Sequence, residues 1–173
     1  MGEQAALTAL VLAHQRSVYS LALRMLGTRD LAEDLTQEVF MQMNGNLQAI
    51  VSNRHLGFWL RQVTSNRAID QLRRRARLPM ASLDEQMQLQ LFSPEQDSDP
   101  MLQRHLRLLL MELSPPARAV LLLRFQEDLD PTDIAQALDM PLNTVKSHLK
   151  RSLESMREKI AGMPSVRYED NST

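Results

Sequence analysis

Five consecutive residues, Leu138-Asp139-Met140-Pro141-Leu142, constrain the fold more than any other stretch of this chain. Asp139 tolerates a left-handed backbone, and Pro141 drives Met140 out of the helical region, so a helix arriving here must stop and restart near Leu142 or Asn143. The arriving helix has a clear start. Asp130 is suited to the N-cap, Pro131 to the first helical position and Asp133 to the first turn, ahead of apolar Ile134, Ala135 and Leu138. In the departing helix Val145, Leu149, Leu153, Met156 and Ile160 form one apolar stripe. The stretch from Asp130 to Ile160 is therefore expected to be two helices held at an angle by a short turn.

The polar side of that second helix carries Asn143, Thr144, Ser147 and Arg151, flanked by Lys146, His148 and Lys150. Such groups meet base edges and phosphates when a helix enters the major groove N-terminus first. Glu154 and Glu158 share the face further on, so an ordinary solvated helix surface is the competing reading. The angular turn favours DNA.

A net charge of -1 argues against a nucleic-acid partner only while it is averaged. Residues 1–78 hold ten arginines and six acids, residues 79–103 hold five acids and no base, and residues 104–173 hold ten of each sign. The 43% hydrophobic content is enough for real cores in a chain of 173 residues. Cysteine is absent, which excludes disulfides and cysteine-based zinc sites and suits a reducing cytoplasm. His14, His55, His105 and His148 have no metal-ligand spacing, so no metal and no cofactor is expected. With no nucleophile elbow and no phosphate-binding glycine loop, no catalytic residue is assigned and an enzyme is not expected. No apolar run suits a membrane span or a signal peptide.

Taken in order, the chain reads as helical throughout. Leu7, Leu10, Val11, His14, Val18, Leu21, Met25 and Leu26 share one face of a first helix that Gly27 ends. Thr28 is then expected to cap a helix from Arg29 to about Met43, buried along Leu31, Leu35, Val39 and Met43. Its outer face shows Asp30, Glu33, Asp34, Thr36 and Gln37, with Glu38 at the margin. That face suits water or a protein partner rather than DNA, and pattern alone favours water. A loop is expected from Asn44 to His55, containing an Asn-Gly-Asn turn and then Asn53, Arg54 and His55.

The helix expected from Leu56 to Arg77 has Phe58 and Trp59 near one end and Arg73, Arg74, Arg75 and Arg77 at the other. Two readings are evenly matched. The aromatics could be core and the arginines a solvated end, or the aromatics could stack on unpaired bases while the arginines hold phosphates. Residues 79–101 read as an acidic linker. A helix is then expected over Leu102–Leu113, and another, capped by Ser114-Pro115, runs through Phe125 and gives Val120, Leu121, Leu123 and Phe125 to a small core. The tail 164–173 reads as a frayed end. The expected architecture is all-α, with two small helical domains, 1–78 and 102–163, joined by a flexible linker.

Four segments in this order resemble the extracytoplasmic-function (ECF) group of sigma factors of bacterial RNA polymerase. DLAEDLTQEVF (residues 30–40) is similar to the family's region 2.2, and FWLRQVTSNRAIDQLRRR (58–75) to its regions 2.3 and 2.4. LSPPARAVLLLRFQEDL (113–129) and DIAQALDMPLNTVKSHLKR (133–151) resemble the two halves of region 4. TVKSHL alone also occurs in response-regulator DNA-binding domains; all four segments in order are far more specific.

The resemblance implies a cytoplasmic subunit with core RNA polymerase, promoter DNA and an anti-sigma factor as partners, and without membrane insertion. Asp34, Gln37 and Glu38 would dock on the clamp helices of the largest polymerase subunit, and the C-terminal domain would meet the flap of the second-largest. Asn53, Arg54, His55, Phe58, Trp59, Arg61, Asn66, Arg67, Arg73 and Arg74 would read and melt the -10 element, the segment from Asn44 to His55 capturing a flipped base. Asn143, Thr144, Ser147, His148 and Arg151 would address the -35 duplex, with Lys146 and Lys150 on phosphates. The chain departs from the family pattern at Thr64, Ser65, Asp139, Asn143 and His148, so no promoter sequence follows. The alternative is a free-standing helix-turn-helix regulator that works without replacing the sigma subunit.

Overall fold

The structure, a computed structural model, describes residues 2–46, 51–77 and 100–162. The acidic linker, apart from Pro100 and Met101, and the tail 164–173 lie outside them. Seven helices follow in order: α1 (Gly2–Leu26), α2 (Arg29–Asn46), α3 (Asn53–Ala76), α4 (Pro100–Glu112), α5 (Pro115–Phe125), α6 (Pro131–Ala137) and α7 (Leu142–Ala161). No strand occurs among the described residues. Helices α1–α3 pack on one another as the N-terminal domain, and α5–α7 pack together in the C-terminal one.

Local chemistry explains most of the helix ends. Gly27 stops α1 at φ +80°, a conformation open to glycine, and its N–H bonds back to the carbonyl of Leu23 at 2.8 Å. The Ser52 hydroxyl caps α3 by accepting from the N–H of His55 at 3.1 Å. Asp130 caps α6, its carboxylate accepting from the N–H groups of Thr132 at 2.8 Å and Asp133 at 2.9 Å. Asp139 takes up the left-handed conformation at φ +48°, and α7 restarts at Leu142, as Pro141 requires.

The apolar stripes close the interior. Val18, Leu21, Met25 and Leu26 of α1 meet Leu35, Val39 and Met43 of α2 and Leu56, Leu60 and Ile69 of α3. The same cluster continues without a break through Val120, Leu123, Ile134, Leu138 and Val145 of the C-terminal domain. The junction forms where α5 and α4 pack on α1 and where α5 and α6 pack on α3. Leu23 lies on the opposite side of α1 from its stripe and is buried nevertheless, because the C-terminal domain covers that side of the last turns.

Arg118 of α5 secures the junction. Its Nε donates to the carbonyl of Leu110 at 2.9 Å, its Nη2 to those of Met111 at 2.8 Å and Leu113 at 3.2 Å, and its Nη1 to that of Met25. One guanidinium thus caps the C-terminal ends of two helices, α1 and α4, whose last carbonyls have no intrahelical donor. Burial lowers the Arg118 pKa from the ordinary arginine range to about 10, which leaves it charged at neutral pH.

Several expectations are corrected. Helix α2 runs to Asn46 rather than Met43, and the Asn-Gly-Asn sequence forms its last turn because the Asn46 side chain donates to the carbonyl of Gln42 at 2.8 Å. The Thr28 hydroxyl does not cap α2; it is buried with no hydrogen-bond partner, and only its backbone carbonyl takes part, accepting from Ala32 at 3.2 Å. Ser114 likewise makes no side-chain cap. Phe125 is 64% exposed instead of core, since it sits at the very end of α5, beyond the apolar contacts of that helix. At the far end of α7, Ile160 is also exposed, while Ser152 is buried where α7 packs on α5 and α6.

Candidate nucleic-acid interface

Three surfaces carry the residues singled out from the sequence. On α2, Asp34, Gln37 and Glu38 are exposed and lie within about one turn of each other, beside exposed Asp30 and Glu33. Glu38 reaches across to α3, where Arg67 donates to it at 3.3 Å and to Gln42 at 2.9 Å. The rest of that acidic face is open to solvent.

Helix α3 presents the second surface. Asn53, Arg54 and His55 are exposed as expected, but they form the first turn of the helix instead of a loop, because Ser52 starts α3 three residues early. Residues 47–50 of the expected loop lie outside the described ones. His55 Nδ1 accepts from the N–H of Val51 at 3.4 Å. Phe58 and Trp59 are half-buried and lie against the apolar core, which limits a stacking role to their outer edges. Further along, Arg67, Arg73 and Arg74 are exposed.

A cavity of about 240 Å³ opens between α1 and the start of α3, lined by His14, Ser17, Asn53, Arg54, Arg61 and Thr64 among others. This volume is below the roughly 300–1,000 Å³ of pockets for drug-sized ligands and suits one small heterocycle. Its rim is cationic and rich in hydrogen-bond donors. Ser17 was not singled out in the sequence and His14 was placed only on the apolar face of the first helix; proximity in the fold brings both to α3.

Arg61 and Asn66 differ from the other α3 residues because both are engaged by the C-terminal domain. Arg61 Nε donates to Glu127 Oε2 at 2.7 Å, and Asn66 Nδ2 donates to the carbonyl of Ala137 at 2.9 Å. Sequence periodicity gives no hint of either partner, since both lie more than sixty residues away.

Helix α7 supplies the third surface. Asn143, Thr144, Lys146, Ser147, Lys150 and Arg151 are exposed, and His148 is half-buried. Val145 is fully buried on the opposite side, where α7 packs against α5 and α6, so packing fixes which way the polar face points. Among the described residues no group of three acidic, histidine or cysteine side chains could hold a metal, and no helix is long and apolar enough to cross a membrane.

Comparison with known proteins fits this organisation. Residues 10–78 match the family Sigma-70 region 2, and residues 103–156 match Sigma-70, region 4. The chain is 35% identical to the ECF RNA polymerase sigma factor SigE of Mycolicibacterium smegmatis over 92% of its own length and 65% of that protein's, so it spans just under two thirds of this relative. It is 32% identical to the RNA polymerase sigma-E factor of Streptomyces coelicolor, covering 92% of this chain and 89% of that one. The sigma factor RpoE of Bartonella quintana, solved in complex with the anti-sigma factor NepR, superposes with a TM-score of 0.70 at 22% identity, over 89% of this chain and 96% of that one. The chain belongs to the sigma-70 family, in its ECF group of RNA polymerase sigma factors.

Proposed function

We propose that this chain docks on core RNA polymerase through Asp34, Gln37 and Glu38 of α2, reads and melts the -10 element with α3, and anchors on the -35 duplex with α7. The observation that carries this division of work is the exposure, on one small molecule, of an acidic α2 face and a polar, partly basic α7 face. DNA would be repelled by the first and attracted by the second. Domain boundaries of 1–78 and 102–163 follow from the same reading.

Within α3, Asn53, Arg54, His55, Arg61, Asn66, Arg67, Arg73 and Arg74 would handle the melted strand, with Phe58 and Trp59 behind them. The cavity beside Asn53 and Arg54 is the candidate receptor for one flipped base, whose extraction costs a few kcal/mol of stacking. On α7, Asn143, Thr144, Ser147, His148 and Arg151 would face bases, and Lys146 and Lys150 phosphates. The chain performs no catalytic step itself; nucleotide addition belongs to the polymerase, in the cytoplasm. The Bartonella quintana protein was solved with an anti-sigma factor, and we extend that class of partner to this chain.

Run-off transcription with purified core polymerase on a genomic template library tests the reading. Promoter-specific transcripts are expected with the protein and not without it, and an Asp34→Ala, Gln37→Ala double variant should lose most of them. A free-standing helix-turn-helix regulator would bind duplex DNA alone and give no transcripts with core polymerase.

A further inference from the structure

The cavity between α1 and the start of α3 has two unlike halves. Its floor is apolar, for Val18, Leu21 and Leu60 are each at most 3% exposed. Its rim is cationic. Arg54 and Arg61 come to it from α3 and His14 from α1, and among the described residues no carboxylate lines the space.

Both arginines have donors to spare. Arg54 makes no hydrogen bond or ion pair among the described residues. Arg61 is held through its Nε on Glu127 Oε2 at 2.7 Å, a contact that leaves its two Nη groups without a partner among the described residues. Gly57 decides where they lie. It lines the same cavity, and a Cβ built on it would sit 3.2 Å from Arg61 Nη1, so the guanidinium folds back along α3 over space that a side chain would take. A fork of N–H donors held in this way suits phosphate, which accepts two parallel bonds from one guanidinium. About 240 Å³ above an apolar floor has room for one heterocycle. A ligand that satisfies both halves is a heterocycle joined to a phosphate.

We infer that this cavity binds a free mononucleotide, its base lying on Val18, Leu21 and Leu60 and its phosphate taken by Arg54 and Arg61. The site follows from the cavity alone, and its consequence rests on the assignment of the same cavity to a flipped -10 base. A bound mononucleotide and a flipped base are then alternative occupants, so affinity for the melted strand is scaled by the fraction of chains left empty. Strand opening becomes sensitive to the concentration of free nucleotides, whereas duplex binding by α7 does not.

Titration of the full-length chain with each nucleoside monophosphate, followed by NMR, tests the site, with the matching nucleosides and inorganic phosphate as controls. The imidazole signals of His14, assigned with His14→Gln, should shift with a Kd of about 1 mM or tighter. The matching nucleoside should bind about tenfold more weakly, having lost the charge-assisted bonds. Arg54→Gln should remove most of that difference and leave nucleoside binding unchanged, which a merely structural role for Arg54 would not produce. Ser17→Leu, at an exposed position of α1 that lines the cavity, should abolish binding of both.

His14 signals that stay fixed up to about 10 mM nucleotide, or binding that Ser17→Leu leaves intact, overturn the site. Inorganic phosphate that matches the mononucleotide in affinity overturns the part played by the heterocycle. The wild-type titration with its controls decides the matter even if Ser17→Leu fails to fold. The flipped-base reading fails separately. Wild-type levels of promoter-specific run-off transcription from Ser17→Leu would remove that reading and leave nucleotide binding standing, whereas lost transcription beside unmoved His14 signals would remove only the mononucleotide site.

Discussion

Helices α3 and α7 are both amphipathic, both rich in cations, and differently available. The polar face of α7 looks into solvent along its N-terminal half, while α3 has Arg61 and Asn66 bonded to the neighbouring domain. A helix that reads duplex can be left open, because duplex is always present and a wrong encounter is weak and salt-sensitive. A helix that handles unpaired bases, the part proposed for α3, has a target that exists only after melting. If α7 reads duplex and α3 the melted strand, as proposed, the difference in exposure parallels the order in which the two DNA elements become available.

The largest expected effect comes from cutting the link that makes the two helices belong to one body. Arg118→Ala would leave the carbonyls of Met25, Met111 and Leu113 without this donor, while that of Leu110 keeps the N–H of Leu113, and each buried group left unmet costs about 1–3 kcal/mol. Allowing for partial relaxation and for water reaching the half-buried carbonyls, urea unfolding should show a loss of about 3–5 kcal/mol. If the domains share one cooperative unit, α3 and α7 lose structure together. Separate transitions would show that the common core does not couple them.

The pH dependence of this effect has a definite sign. Burial lowers the folded-state pKa of Arg118 from the ordinary arginine range to about 10, so the unfolded chain holds the proton more tightly. Below about pH 10 both states are charged and the stability difference between wild type and Arg118→Ala should not vary through this group. Only above about pH 10, up to the ordinary arginine range, does rising pH relieve the penalty of burying the charge, and there stability gains from it. A clamp of this kind is constant under physiological conditions and is no switch.

A smaller effect sharpens the α7 side of the comparison. Asn143→Ala should relax discrimination at one base pair of the -35 duplex by about 1–3 kcal/mol, whereas Lys146→Ala should weaken all sequences alike and lower the salt slope by roughly one. Binding of a randomised duplex library at several salt concentrations separates the two. Equal behaviour of the two variants would mean that the exposed α7 face only holds phosphate.

What the sequence conveys and what it conceals follows the same division. The stripe Val18–Leu21–Met25, the Asp130 cap and the Pro141 break are local patterns, and each appears in the structure as read. The burial of Leu23 and Glu127 depends on a surface that arrives from the other domain, and no periodicity within one helix encodes it. Phe125 was misread for the converse reason: its residue type suits a core, yet its place at the end of α5 leaves nothing to cover it. Boundaries moved where side chains bonded back to the helix, as Asn46 does on Gln42 and Ser52 on His55. The candidate site shows the same split. Exposure of the α7 residues could be read from the wheel, and the engagement of Arg61 and Asn66 could not.

The smallest expected stability effect separates folding from docking on the α2 face. Glu38 and Arg67 approach to 3.3 Å with side chains 59% and 44% exposed, and an ion pair in such a setting is worth about 0–1 kcal/mol. Glu38→Gln should therefore leave the unfolding midpoint nearly unchanged. If Glu38 meets polymerase, affinity for core polymerase should still fall, because an interface charge matters through its partner rather than through the free protein's stability. Releasing Arg67 adds a second consequence of opposite sign, since an unpaired guanidinium on the open part of α3 should hold single-stranded DNA slightly better at low salt. Measuring core-polymerase affinity and single-strand affinity on the same variant resolves the two roles. A drop in the first with a rise in the second places Glu38 between docking and strand binding, and no change in either would return the acidic face of α2 to the role of solvated surface.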